Sequence, residues 1–222
     1  DFTLGKPVAE FEANFAQLIG TRYAVGVNSG TDALFLALKA IGVGPGDEVI
    51  TVPNTFIATV GAIVAAGAKP VFVDVLNDYT INPALIEQAL TPRTKALLPV
   101  HYAGHPADMP AIMAIAAKYG LPVVEDACQA ISAAIDGRCV GTYGMASGFS
   151  LHPLKNLNVW GDGGVIVTNS EEIRDKLVLL RNHGLKNRDE IHIFGYNSRL
   201  DSLQAVVGNY LIKDIEKITA QR

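Results

Sequence analysis

The sequence predicts an α/β protein with three layers, in which helices cover both faces of a mostly parallel sheet. Short apolar segments of strand length alternate along the chain with segments whose apolar residues recur at helical spacing. Strands that are separated by helices need crossover connections, which place neighbouring strands parallel. Hydrophobic residues make up 49% of the 222 residues and charged residues 18%, so the chain has enough apolar material for a core between the layers.

The first part of the chain predicts a helix, a short apolar segment and a second helix. Apolar residues recur at helical spacing over Val8–Ile19, and Gly20 follows as a helix-ending glycine. The apolar segment Tyr23–Val27 precedes the loop 28–32 (Asn-Ser-Gly-Thr-Asp), which leads into a helix over Ala33–Ile41. Such a loop can bind an anion, because the first amides of a helix have no partner within it.

Strands and helices alternate from residue 48 onwards. The predicted strands are Glu48–Val52, Pro70–Val73, Ala96–Val100, Pro122–Glu125, Met145–Phe149 and Val165–Val167. The predicted helices are Thr55–Ala66, Pro83–Leu90, Met109–Tyr119, Glu171–Leu180 and Leu200–Ile218. A polar loop over 181–196 separates the last two helices.

The composition argues against several classes of function. The net charge is −4 and the basic residues are scattered, which disfavours binding to nucleic acid or to an anionic membrane. No apolar run approaches the ~20 residues that span a bilayer, and we expect a cytoplasmic protein. Cys128 and Cys139 fit no zinc or disulfide pattern and are expected to be buried. His101 and His105 are four residues apart, but the glycine and proline beside His105 break any helix that would place both on one face, so we expect no metal site.

Lys155 is the first candidate for chemistry. It is the only residue with a formal charge between Arg138 and Asp162. Poorly hydrated surroundings favour the neutral amine, which is the form that attacks a carbonyl carbon to give a Schiff base. On this segment alone, a lysine in a solvated loop stays open as the alternative.

Asp126 and the loop 28–32 supply two further candidates. Asp126 follows an apolar strand at its carboxyl end, where a carboxylate can pair with a cationic ring nitrogen or simply cap the next turn. Strand alternation places Glu125 on the opposite face. The loop amides and the Thr31 hydroxyl can hold a phosphate, with Ser150 as a second ligand, or the loop can be an ordinary helix cap.

Six motifs occur in a characteristic order along essentially the whole chain. They are Asn28–Leu34, Pro53–Thr59, Glu125–Ala130, Ser150–Leu157, Gly161–Gly164 and Gly195–Arg199. In these motifs the sequence resembles the sugar aminotransferases of the DegT/DnrJ/EryC1/StrS family, which are pyridoxal-phosphate enzymes of fold type I. The resemblance implies the large domain of that fold for this chain.

The resemblance also implies a role for each site residue. Lys155 would hold pyridoxal phosphate covalently and Asp126 would pair with the ring nitrogen. Phe56 would stack on the ring, and Gln129 would contact its phenolic oxygen. The phosphate would be held by Gly30, Thr31, Asp32, Ser150 and the partner subunit's Asn197, in a homodimer with shared active sites.

The implied activity is transfer of an amino group from an amino acid, usually glutamate in this family, to a keto group on a nucleotide-linked sugar. Lysine at position 155 matters, because members that act as sugar dehydratases carry histidine there. Two alternatives stay open: a dehydrating enzyme similar to the aminohydroxybenzoate synthases, which also keep the lysine, and a catalytically silent fragment.

The sequence departs from the family pattern in two respects. Asn158-Val159-Trp160 is bulky where many relatives have small residues, so its bulk beside the lysine could reshape the substrate side. The family's chains are also much longer. We therefore expect a pyridoxal-phosphate-binding domain over 1–199, and a helix over 200–222 that leads into a C-terminal domain that is largely absent.

Overall fold

A computed structural model describes residues 2–222 of the protein. Its central sheet has seven strands. The strands of the chain are β1 (Tyr23–Val27), β2 (Glu48–Thr51), β3 (Lys69–Phe72), β4 (Thr94–Leu97), β5 (Val124–Asp126), β6 (Ala134–Ile135), β7 (Arg138–Cys139), β8 (Ala146–Ser150) and β9 (Gly164–Thr168). The sheet has the order β3-β2-β4-β5-β8-β9-β1. Two single bridges, Leu97 to Val123 and Val100 to Asp126, connect the β4 side of the sheet to the β5 side. Strands β6 and β7 form a separate hairpin. Only β9 runs antiparallel to its neighbours, which confirms the prediction of a mostly parallel sheet.

Eight α-helices surround the sheet in the described part of the chain. They are α1 (Lys6–Ile19), α2 (Gly30–Ala40), α3 (Ile57–Ala65), α4 (Ile86–Ala89), α5 (Met109–Tyr119), α6 (Glu171–Arg181), α7 (Ser202–Leu211) and α8 (Ile215–Ala220). Gly20 ends α1 as predicted: it adopts φ 85°, and its amide donates to the carbonyl of Ala16. None of the helices over residues 2–222 is both long and apolar enough to cross a membrane.

The core lies on both faces of the sheet, because successive strand residues point to opposite sides. Val25 and Val27 of β1 pack with α2, α3 and α6 on one face. On the other face, Ala24 packs with α1 and α7, and α5 covers the neighbouring half of the sheet. These helix layers above and below the sheet confirm the three-layer prediction.

The C-terminal segment differs from the single predicted helix over Leu200–Ile218. It divides into α7, a 3₁₀ turn over Ile212–Asp214 and α8. The tighter turn changes the helical phase so that Ile215 packs into the same apolar cluster as Ala205. The side chain of Asn209 also donates to the carbonyl of Pro7 at 2.9 Å, so α7 is fastened to the start of α1. The predicted domain boundary at residue 199 stays a prediction.

The predicted helix over Pro83–Leu90 is also shorter than expected. A 3₁₀ turn over Pro83–Leu85 precedes the four-residue helix α4. The side chain of Asn82 accepts a hydrogen bond from the amide of Ala84, which satisfies the start of the 3₁₀ turn. The first part of the predicted helix, which begins with Pro83, is therefore a 3₁₀ turn.

Candidate active site

A cavity of about 380 Å³ lies at the carboxyl ends of β5 and β8, beside the first turn of α2. In an open α/β sheet this edge is the usual location of a ligand. Seven of the nine predicted site residues line the cavity: Gly30, Thr31, Phe56, Asp126, Gln129, Ser150 and Lys155. The fold therefore brings together side chains that are up to 125 residues apart in the sequence (155 − 30).

Asp126 is the last residue of β5 and its side chain faces the cavity. The residue is 5% exposed. One carboxylate oxygen, Oδ1, accepts a hydrogen bond from the amide of Cys128 at 3.1 Å. The other, Oδ2, accepts from the hydroxyl of Thr59 at 2.6 Å. Both oxygens are thus fixed, and their remaining lone pairs are the acceptor positions open to a ligand.

Glu125 belongs to the opposite face, as strand alternation predicts. Its carboxylate accepts hydrogen bonds from the amides of Gly141, Tyr143 and Gly144. Its Oε2 also lies 3.1 Å from Nε2 of the fully buried His101. Because Nδ1 of this histidine accepts from the amide of residue 107, the ring proton is on Nε2 and is donated to Glu125. His101 therefore supports β5 from behind the cavity.

The first turn of α2 and the end of β8 form an anion-binding cup. The hydroxyl of Ser29 caps α2 by accepting from the amide of Asp32 at 3.0 Å, which leaves the first two amides of the helix without an intrahelical partner. Ser150 packs directly against this turn. A Cβ on Gly30 would lie 2.7 Å from the Cβ of Ser150, so only glycine permits this close approach. The amide of Asp32 is used by the Ser29 cap, and the Asp32 side chain does not line the cavity.

Lys155 lies in the loop after β8, half-buried at the side of the cavity. Its amide donates to the carbonyl of His152 at 2.8 Å, which closes a turn around the lysine. Within residues 2–222, its Nζ has no hydrogen-bond acceptor and no acidic partner. The amine is therefore available to a ligand in the cavity.

Cys128 corrects the expectation that both cysteines are buried apolar residues. It is half-buried and lines the cavity, because the chain turns after β5 and returns its amide to Asp126. Its Sγ lies 3.6 Å from the carbonyl oxygen of Gly148. Desolvation raises the pKa of this thiol well above its usual value; the nearby Asp126 carboxylate raises it further, and Lys155 partly opposes the rise. Cys139 is also only half-buried, in β7.

Phe56 and Gln129 complete the ring-sized part of the cavity. Phe56 immediately precedes α3 and is 66% exposed, so one face of its ring is open to a ligand. Oε1 of Gln129 accepts from the amide of Ala103 at 2.8 Å. This bond orients the side-chain amide so that its NH₂ group remains a donor within the cavity.

Asn197 and Trp160 lie outside the lining of the cavity. Asn197 is exposed, in a loop whose neighbour Ser198 donates to the side chain of Asn28 at 3.2 Å. This bond attaches the loop to Asn28, two residues before Gly30. The Asn197 side chain of the same chain does not line the cavity. Trp160 is 79% exposed and has φ 60°, a left-handed conformation that is uncommon for a bulky residue.

Some lining residues were not predicted as site residues. They include Thr55, Thr59, Cys128, His152 and Asp162. Thr55 and Thr59 are four residues apart around the start of α3, a spacing that signals a shared helix face. That spacing could have marked them as a pair, but only the folded chain places Thr59 beside Asp126.

The cavity fits the expected pyridoxal phosphate in charge and hydrogen bonding. The cup offers amides and hydroxyls to a phosphate, Asp126 offers a carboxylate to a cationic ring nitrogen, and Lys155 offers an amine to an aldehyde. The absence of a side chain at Gly30 lets the first turn of α2 lie against Ser150, and the volume is in the ~300–1,000 Å³ range of small-molecule sites.

Comparison with known proteins identifies one family over the whole chain. The model of the DegT/DnrJ/EryC1/StrS aminotransferase family matches residues 1–222. The chain is 53% identical over 207 residues to a UDP-N-acetyl-3-dehydro-alpha-D-glucosamine 3-aminotransferase of Acidithiobacillus ferrooxidans, covering 93% of this chain and 56% of that protein. It is 48% identical over 222 residues to a pleiotropic regulatory protein of Geobacillus stearothermophilus, covering 100% of this chain and 60% of the relative. The chain thus spans less than two thirds of the length of these relatives.

Solved structures share both the fold and much of the sequence. DesV of S. venezuelae, solved with a ketimine intermediate, has a TM-score of 0.95 and 47% identity, over 98% of this chain and 59% of that chain. NtdA of Bacillus subtilis, solved with the bound cofactor PMP, has a TM-score of 0.93 and 39% identity, over 98% of this chain and 50% of that chain. A 3-amino-5-hydroxybenzoic acid synthase has a TM-score of 0.92 and 36% identity, over 96% of this chain and 57% of that chain.

Proposed function

Since the chain belongs to the DegT/DnrJ/EryC1/StrS aminotransferase family, we propose that it binds pyridoxal phosphate and transfers an amino group from glutamate to a keto group on a nucleotide-linked sugar. The observation that carries the proposal is the convergence of Lys155, Asp126 and the cup at Gly30 on one cavity. The similarity to a UDP-keto-sugar aminotransferase and to DesV supports the substrate class.

The chain's own residues divide the work of the reaction. Bound pyridoxal phosphate supplies an electron sink for the carbon that loses a proton. Lys155 would hold the cofactor covalently through Nζ, and the same Nζ, when free, would move a proton between the donor α-carbon and C4′ of the cofactor. Asp126 accepts a hydrogen bond from the ring nitrogen and stabilises its positive charge. The cup at Gly30, Thr31 and Ser150 would bind the phosphate group and so orient the cofactor towards Lys155 and Asp126.

The proposed active site is shared between two copies of the chain. Two chains form a homodimer in which the partner subunit's Asn197 completes the phosphate cup, and Asp32 contributes to the cup from the first turn of α2. Residues 1–199 make up the cofactor-binding domain, and 200–222 lead towards a second domain. The two unpaired cysteines fit a reducing compartment, which supports the cytoplasm as the location.

A dehydrating enzyme is the second candidate function, because an aminohydroxybenzoate synthase shares the fold at 36% identity. That candidate also needs the lysine and the cofactor, so cofactor binding does not separate the two. An amino-donor half-reaction does: an aminotransferase converts glutamate to 2-oxoglutarate in one turnover without the sugar, whereas the dehydrating reaction needs no amino donor. Absence of 2-oxoglutarate from the loaded protein would favour the second candidate.

Covalent labelling tests the proposed site directly. The protein is given pyridoxal phosphate, reduced with borohydride, digested and mapped by mass spectrometry. We expect the pyridoxyl label on Lys155. As the matched control, Lys186 is an exposed lysine that pairs with Glu190 at 3.5 Å and should stay unlabelled. A label at another lysine, or none at all, contradicts the proposal.

A further inference from the structure

A chain of hydroxyl groups leads from the start of α3 to Asp126. The Oγ1 atoms of Thr55 and Thr59 are 2.7 Å apart. Oγ1 of Thr59 is in turn 2.6 Å from Oδ2 of Asp126. Thr59 is 1% exposed and Asp126 is 5% exposed, so these bonds form with little competition from water.

The direction of the hydrogen bonds follows from the chemistry of the acceptor. An ionised carboxylate has no proton to donate, so the hydroxyl of Thr59 donates to Asp126. A hydroxyl has a single proton, and Thr59 therefore accepts from Thr55. Both dipoles point their positive ends towards the carboxylate, which stabilises its negative charge.

We propose that Thr59, with Thr55 behind it, is a positioning residue that fixes the carboxylate plane of Asp126 opposite the ring nitrogen of the cofactor. This inference rests on the proposed function. The amide of Cys128 fixes Oδ1, and Thr59 fixes Oδ2, so the plane of the carboxylate is held from two sides.

The position of Thr59 also links two parts of the site. Phe56, the residue expected to stack on the ring, lies three residues before Thr59 at the start of the same helix. The hydrogen bond to Asp126 therefore ties the beginning of α3 to the end of β5. Loss of the hydroxyl releases Oδ2 of Asp126 and removes this tie to the helix end that carries Phe56.

Thr168 of β9 offers a matched control for a purely structural effect. It is 1% exposed, and its hydroxyl donates to the carbonyl of Met145 at 2.7 Å and accepts from the amide of Ser170. Thr59 likewise donates once and accepts once. Thr59→Val and Thr168→Val therefore remove comparable buried hydrogen bonds, but only the first removes one that ends at the cavity.

The experiment measures pyridoxal phosphate binding and the glutamate half-reaction in Thr59→Val, Thr59→Ser and Thr168→Val, alongside the unfolding midpoint of each. A hydrogen bond to a charged group corresponds to roughly a tenfold to hundredfold effect. We expect Thr59→Val to raise the dissociation constant of pyridoxal phosphate by about tenfold or more, and to shift the pH profile of the bound cofactor's absorbance. Thr59→Ser restores both, because serine keeps the hydroxyl, and Thr168→Val changes the unfolding midpoint alone.

Two results overturn the inference while leaving the proposed function intact. One is a Thr59→Val protein with wild-type affinity and absorbance profile. The other is a Thr168→Val protein that loses as much affinity as Thr59→Val, which would make the effect one of general stability. If the wild-type protein itself binds no pyridoxal phosphate, the proposed function fails and this inference fails with it.

Discussion

Replacing Gly30 with alanine tests whether the anion-binding cup depends on the close approach of α2 to β8. The added Cβ would lie 2.7 Å from the Cβ of Ser150 and 3.1 Å from both its Cα and the Sγ of Cys128. Carbon atoms in contact are ~3.5–4.0 Å apart, so the closest pair is short by about 0.8 Å. The obstacle is backbone and Cβ rather than the end of a flexible side chain. The first turn of α2 must therefore move away from Ser150.

This displacement lowers both stability and affinity. Overpacking of this kind costs about 1–3 kcal/mol in the free energy of unfolding. For a chain of this length, each kcal/mol lowers the unfolding midpoint by roughly 2–4 °C. The moved amides also lose their geometry towards a phosphate, and we expect the dissociation constant of pyridoxal phosphate to rise by about tenfold, the equivalent of ~1.4 kcal/mol.

Gly61→Ala is the matched control. Gly61 lies within α3, and a Cβ there meets no atom within 4 Å. Alanine in a helix interior is favoured over glycine by up to ~1 kcal/mol, so this variant should be more stable and bind the cofactor as the wild type does. Thermal unfolding and absorbance titration with pyridoxal phosphate measure the two effects. A Gly30→Ala protein with unchanged midpoint and affinity would refute the steric argument.

Three further predictions concern other residues of the site. Asp126→Asn keeps the shape but removes the anion, so the glutamate half-reaction followed by stopped-flow absorbance should slow by ~10²-fold or more; an undiminished rate rejects the role. Lys155→Ala and Asn197→Ala chains should each be inactive alone but recover about a quarter of wild-type activity when mixed equally, because half of the dimers are then mixed and each mixed dimer has one intact site of two. No recovery, although mixed dimers are shown to form, would contradict shared sites. Desolvation and the nearby Asp126 carboxylate raise the pKa of the Cys128 thiol, so iodoacetamide should label it slowly at pH 8 until the protein is unfolded in urea; rapid labelling of the folded protein, detected by peptide mapping, would contradict the raised pKa.

Local patterns were sufficient to predict most of the strands and helices. The alternation of apolar segments predicted the strands and the three layers, because periodicity records which side of an element is buried. The apolar strand ending in Asp126 predicted a carboxylate at the ligand-binding edge. The final helix was predicted less well, because its 3₁₀ turn at Ile212–Asp214 brings Ile215 into contact with a distant apolar cluster.

The sequence by itself determined which residue types are available: a lysine isolated among uncharged residues, a carboxylate at a strand end and a glycine at a helix start. Only the tertiary structure decided which of them meet. Thr59 and Asp126 are 67 residues apart, and their hydrogen bond exists because α3 packs beside the end of β5. Cys128 likewise lines the cavity only because the chain turns back to Asp126. Distances between side chains on different elements depend on how those elements pack, and local periodicity carries no information about that packing.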